Sequence, residues 1–234
     1  MASKVLNIVL ALLVLFLVYQ RSVVKNEKPE ESNEVALKTE MIPDSLKTKV
    51  SLGKKNLMFP KPAVVIGSYD KDGVPNIMTA AWTGVVNSHP LKMAVSMRPA
   101  TLSYHNLTLN KAFTINVPST EWVGVADYVG RYSGHDMQKF EKLGLTPLQG
   151  DSVYAPYIKE FPIAIECKIT EIIDLGSHRQ FIGEVLDTKV TKAFLKGKKN
   201  VDVEKLDPLI LANGYYGLGN YVAKPGQALK MYED

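Results

Sequence analysis

The chain has 234 residues, 46% hydrophobic and 22% charged, the balance of a globular domain with a real core rather than of a disordered or fibrous chain. Its 28 Lys and Arg against 24 Asp and Glu leave a net charge of +4 with no basic stripe, which argues against nucleic acid as a partner. A single cysteine, Cys167, excludes an intramolecular disulfide and, inside IAIECKIT, reads as a small core residue.

Val5–Tyr19, VLNIVLALLVLFLVY, is apolar apart from Asn7 and follows Lys4. Extended through its flanks towards Val24, it predicts an N-terminal hydrophobic helix within residues 1–25 that anchors the chain in a membrane by a single pass. The following VYQRSVV lacks a small-x-small cleavage site, which favours an uncleaved anchor; the alternative is export after signal cleavage. Cations flank both ends, so the segment sets no orientation. Residues 26–45, charged and poor in aromatics, read as a solvated linker, and residues 46–234 as the folded domain.

From Pro62 the pattern turns to strands. PAVVIGSYDKDGVPNIMTAAWTG holds two apolar runs joined by Asp72-Gly73, a hairpin signal because glycine accepts the positive φ of such turns. KMAVSM (92–97) and AFTINV (112–117) read as buried strands. FPIAIECKITEII and QFIGEVLDTKV read as two longer ones turning at DLGSH.

Three short helices are predicted: Leu102–Leu109 after a Thr101 cap, Glu121–Tyr128 after Ser119 or Thr120, and SGHDMQKFEKLG from a Ser133 cap to a Gly144 stop. Six or so strands with short inserted helices make a mostly β (α+β) domain, a small closed or partly closed antiparallel barrel.

Familiar catalytic motifs are missing. There is no phosphate-binding GxxxxGK[ST] loop and no GxSxG elbow, and NGYYGLGN (213–220) has the wrong spacing for a dinucleotide fingerprint. His89, His105, His135 and His178 are scattered without metal-ligand spacing, so no metal site and no catalytic residue is assigned. Any chemistry falls to a bound cofactor.

Three segments combine turn, polar and apolar character: PNIMTAAWTG, SMRPATLSYHN and SGHDMQKF. Helix N-termini leave N–H groups unpaired and attract anions, which suits Arg98, Thr101, Ser103 and Lys139 to a phosphate. Taken singly, Trp82 reads more readily as a core residue, Arg98 and Lys139 as surface charges, and His178 as a turn residue.

The order of NIMTAAWTG, AVSMRPATLSYHN, FTINVPS, ADYVGRYSGHDMQKFEKLGLTP, APYIKEFPIAIEC and GSHRQFIGEV resembles the flavin reductase-like FMN-binding family, in its flavoredoxin branch, from about Leu52 to Val222. The resemblance implies a split β-barrel that forms a homodimer and binds FMN non-covalently near the subunit interface. It implies flavin contacts for Asn76 and Trp82, with the small Thr79, Ala80 and Ala81 admitting the ring edge. By the same resemblance Ser103, with Arg98 and Thr101 beside it, lies near the phosphate or ribityl chain, and Asn116 lines the pocket. Lys139 offsets the phosphate, His178 meets the flavin, and Tyr216, with Tyr215 close behind, supplies a C-terminal aromatic.

The function implied is an FMN-dependent oxidoreductase that passes electrons through the flavin, with NAD(P)H as transient donor. The alternatives are an FMN electron carrier reduced by a redox partner protein and a membrane-tethered binding module without turnover. The apolar leader departs from the family's pattern.

Overall fold

In the computed structural model, Pro43, Leu46 and residues 48–220 are described; the apolar segment Val5–Tyr19 lies outside them. Among the described residues no helix is long and apolar enough to cross a membrane. One compact unit spans Asn56–Val222 and carries every feature below.

The first strands in order are β1 (Lys61–Pro62), β2 (Val64–Tyr69), β3 (Pro75–Ala80), β4 (Thr83–Ser88) and β5 (Leu91–Met97). Helix α1 (Leu102–Asn110), β6 (Ala112–Val117), a 3-10 turn at Thr120–Trp122, α2 (Val123–Arg131) and α3 (Lys139–Leu143) follow. Next come β7 (Pro147–Gln149), β8 (Pro156–Ile158), and the long β9 (Ile163–Asp174) and β10 (Arg179–Val190). Short pieces close the unit: β11 (Leu195–Lys196), β12 (Asn200–Val201), α4 (Val203–Leu206), β13 (Ile210–Leu211) and β14 (Tyr215–Tyr216).

The period-two alternation of β2 builds two cores from one strand. Val64 and Ile66 join a cluster with Val95, Met97, Phe113, Cys167 and Phe181, while Val65 joins Ile77, Ala126, Val129, Phe140 and Phe161. The first cluster is the interior of the sheet. The second binds α2 and α3 to its outside. Phe113 and Phe181 are fully buried, which contributes about 2–3 kcal/mol each.

Seven strands pair antiparallel in the order β3-β2-β6-β9-β10-β5-β4. The two edge strands, β3 and β4, are consecutive in the chain and separated by Ala81 and Trp82 alone. So short a link holds the two edges together at one end and curls the sheet into a barrel closed by the chain rather than by a ladder. The register between β9 and β10 shifts twice, between Ile182 and Gly183 and between Val185 and Asp187, and such bulges sharpen the curl. At Gly183 a Cβ would press on the Phe113 ring at 2.8 Å, so the barrel closes around Phe113 only with glycine there.

The strand readings hold, including the Asp72-Gly73 hairpin, where Gly73 has φ 77° and Asp70 Oδ1 accepts from the Asp72 and Val74 amides at 2.8 Å. The run through PNIMTAAWTG, however, breaks at Ala81–Trp82 and continues as β4, a separate strand that periodicity missed. Among the helices, α1 follows its Thr101 cap, whose hydroxyl accepts from the Tyr104 amide at 3.2 Å. The second begins as a 3-10 turn after Ser119 without a side-chain cap, and its α part runs on to Arg131.

The third differs most. Ser133 caps only a local turn, accepting from the His135 amide at 3.1 Å, and the helix starts at Lys139 after an uncapped Gln138. Gly144 does end it, at φ 64°. A serine hydroxyl satisfied two residues on competes with the helix it would have capped.

Candidate functional site

Thr79 on β3 sets the site's frame, because its hydroxyl donates to the Ala126 carbonyl of α2. Gly130 lets the two elements close, since a Cβ there would already meet Thr79 Cβ at 3.1 Å. The end of α2 therefore lies against the edge of β3, and two carbonyls, Ile77 of the strand and Val129 of the helix, face one point.

Lys139 fills that point. Its Nζ donates to Ile77 O at 2.9 Å and to Val129 O at 2.8 Å. The side chain is buried, and among the described residues no carboxylate pairs with it. Burial without a counter-charge pushes the ammonium down from 10.5 to about 8. Two of its three N–H groups are used.

Around Lys139 is a cavity of about 240 Å³ between β3, the start of α1 and the end of α2. Asn76 and Met78 line it from β3, and Arg98, Thr101 and Ser103 line it from the turn into α1. Arg131, Tyr132, Ser133 and Gly134 line it from the end of α2 and the loop beyond. Asn76 and Ser103 are buried and joined, Asn76 Nδ2 donating to Ser103 Oγ at 2.9 Å. Gly134 packs on that pair so closely that a Cβ would overlap Asn76 Oδ1.

Three cationic side chains, buried hydroxyl and amide groups and the N-terminal turn of a nine-residue helix suit a phosphate monoester better than a neutral ligand. Asp127, on the same helix as Arg131, already pairs with it, both its oxygens 3.0 Å from Nε.

Of the residues expected at the site, this cavity gathers Asn76, Arg98, Thr101, Ser103 and Lys139. Trp82 and His178 lie elsewhere but meet each other, ring centroids 4.6 Å apart at 30°. The ladder explains why. Arg179 pairs with Met97, and the Ser96 amide donates to Trp82 O at 2.8 Å, so the residues just before β10 and β4 come side by side.

Thr79 faces α2, Ala80 is buried in the barrel core, and Ala81 leads into the half-exposed Trp82. Asn116 is not brought to the cavity. It is fully buried, donates to Val65 O at 3.0 Å and accepts from the Ile158 amide at 2.9 Å, which makes it a bracket between β2 and β8. Tyr216 is exposed on β14, and its neighbour Tyr215 donates to Asp127 Oδ1 at 3.2 Å.

Arg131 and Gly134 are the residues that sequence reasoning missed. Their signal was present in VGRYSGHD, where an arginine at a helix end is followed within a few residues by glycine.

The flavin reductase-like domain model matches residues 56–218. The chain belongs to that family. Its relatives include the flavoredoxin of Desulfovibrio vulgaris (Miyazaki F), 46% identical, covering 77% of this chain and 99% of that one at a TM-score of 0.74. The flavoredoxin of Methanosarcina acetivorans is 26% identical over 79% of this chain and 98% of its own, at 0.73. A ferric-chelate reductase (NAD(P)H) of Archaeoglobus fulgidus is 25% identical over 46% of this chain and 63% of its own length. The curled seven-stranded sheet is thus the split barrel of the flavin reductase-like family, in its flavoredoxin branch, a flavin-binding fold.

Proposed function

We propose that this flavin reductase-like protein is an oxidoreductase that binds FMN non-covalently and passes electrons through it. The observation that carries the reading is Lys139, a buried ammonium with no carboxylate partner among the described residues, facing a cavity that Arg98 and Arg131 also line. Burying a cation costs free energy unless an anion accompanies it, and a phosphate dianion is the anion that three cations with hydroxyls beside them match.

On this reading Lys139, Arg98 and Arg131 hold the phosphate, and Ser103 and Asn76 hold the polar chain next to it. FMN supplies hydride acceptance and single-electron release when bound. The chain's own part is to neutralise the phosphate, keep the Asn76–Ser103 pair fixed by Gly134, and offer the Trp82–His178 stack as a flat aromatic surface for the ring system. Similarity to an NAD(P)H-dependent reductase supports NAD(P)H as the donor, and a redox partner protein is the other source.

The same reading takes the molecule as a homodimer. Edge strand β4 exposes Val85 at 65% and Val86 at 50%, and Ile172, Ile173 and Leu175 are exposed at the β9–β10 tip, an apolar face that a second copy would cover. Membrane attachment through Val5–Tyr19 belongs to the same proposal.

The test is a pair of titrations. Replacing Lys139 by Met keeps an unbranched apolar stem, one heavy atom shorter, and removes the charge. A charge-assisted hydrogen bond contributes about 1.5–3 kcal/mol, so FMN should weaken about tenfold to a hundredfold. Riboflavin, which lacks the phosphate, should bind Lys139→Met as it binds the wild type. Equal losses for both ligands would refute the phosphate assignment.

A further inference from the structure

We propose that the β11–β12 hairpin is a docking surface for an anionic lipid bilayer, one that turns the barrel to a fixed orientation on the membrane. The inference rests on the reading that Val5–Tyr19 holds the chain in that membrane.

The stretch Lys192–Asn200 reads KAFLKGKKN, four lysines without an acid. It folds as a 3-10 turn at Lys192–Phe194 followed by β11 and β12, a two-stranded sheet of its own. Lys196 pairs with Asn200, and the chain turns through Gly197 at φ 72°. The turn gathers the cations at the tip. Lys192, Lys196, Lys198 and Lys199 are all exposed, and among the described residues none of them forms an ion pair. Two of the acids that follow are spent elsewhere: Asp202 caps α4, accepting from the Lys205 amide at 3.2 Å, and Asp207 accepts from Thr120 Oγ1 at 2.8 Å. Glu204 is offset by its neighbour Lys205, whose ammonium donates to Ala193 O at 2.8 Å and so lies at the base of the hairpin.

Clusters of about four to eight cations near a membrane segment are drawn to anionic headgroups, each adding to the attraction within a Debye length of about 8 Å. Lysine suits such a surface. A compact ammonium on a flexible stem follows headgroups that hold no fixed geometry, where a folded anion site would take the rigid fork of arginine. Apolar area lies beside the charges, as at a membrane–water boundary. Phe194 and Leu195 are half-buried, and the Asp202 amide donates to Phe194 O at 2.8 Å, which brings up Val203, 48% exposed. The chain between Tyr19 and Asn56 reaches at most about 120–130 Å when extended, several times the width of a small domain. A tether of that reach selects no face of the barrel. The charge of the hairpin does.

The experiment reconstitutes the full chain into vesicles of phosphatidylcholine alone or with about one third phosphatidylglycerol. The wild type is compared with a variant carrying Lys196→Gln, Lys198→Gln and Lys199→Gln together. A water-soluble acetylating reagent labels the accessible lysines, and peptide mass spectrometry reads each site. The expected result is that labelling of the four hairpin lysines falls about threefold or more in the anionic vesicles only, and returns in about 0.5 M sodium chloride. The variant should lose the protection at Lys192. Equal labelling in the two kinds of vesicle overturns the proposal, and so does protection that survives the salt or persists at Lys192 in the variant. Failure of the membrane anchor looks different: the wild type would then not float with phosphatidylcholine vesicles. Flotation with the anionic vesicles alone, lost in the variant, would still support the hairpin, and flotation with neither overturns it.

Discussion

Trp82 stacks on His178, with ring centroids 4.6 Å apart and planes 30° from parallel. The indole sits in the two-residue link between the edge strands β3 and β4, and the imidazole lies at the start of β10. The contact therefore ties the barrel's closing link to its longest hairpin. Trp82 stays 48% exposed, which leaves area for a further flat partner.

If that partner is the flavin ring, Trp82→Ala weakens FMN and riboflavin alike. Aromatic stacking contributes about 0.5–1.5 kcal/mol, which corresponds to a loss of about twofold to tenfold for each ligand. Flavin fluorescence titrations of both ligands check it. A loss confined to FMN would put Trp82 at the phosphate and overturn the assignment.

Lys139 carries the pH dependence. Its ammonium, ordinarily near 10.5, is pushed down to about 8 by burial, so between those values the unfolded chain binds more protons than the folded one. Stability of the flavin-free protein should rise with pH across that window. A phosphate beside the ammonium raises its pKa again. FMN binding should then take up protons above about pH 8, and FMN affinity should fall as pH rises, while riboflavin affinity stays level. Calorimetry in two buffers of different ionisation enthalpy measures the proton uptake directly, and its absence would remove Lys139 from the phosphate.

At the other side of the sheet, Glu166 is fully buried and its carboxylate lies 2.5 Å from Lys189 Nζ. Glu166 Oε2 also accepts from the Ser152 amide at 2.7 Å, so the pair pins the loop before β8 to β9 and β10. Asp151 and Asp187 contact the same ammonium, which is held well above the usual lysine range by its hydrogen bonds to Asp187, Glu166 and Asp151, against the opposing effect of burial. Lys189→Met strands the buried carboxylate and should cost about 3 kcal/mol in denaturant unfolding, with part recovered when Glu166→Gln is added. A cost below about 1 kcal/mol, or no recovery, would make the pair dispensable.

Much of the fold was legible because its signals are short. Ala112–Val117 reads as a strand from its own six residues, Asp72-Gly73 turns because Gly73 accepts a positive φ, and Thr101 caps α1 with a hydroxyl three residues from the amide it satisfies. The order of motifs was enough to point to the family. Where local signals competed, the reading failed: Ser133 satisfied a turn instead of a helix, and β4 was hidden behind small residues that also suit a binding wall.

By itself, then, the sequence determined the long strands other than β4, the first helix and the candidate cations Arg98 and Lys139. Only the tertiary structure decided that Lys139 meets the Ile77 carbonyl, 62 positions away, and that Asn116 is spent on Val65 and Ile158. It also decided that Arg131 lines the Lys139 cavity. Propensity and capping act within a few residues. A buried charge takes its meaning from whatever the sheet order and a helix end bring to it, and neither is written next to it in the chain.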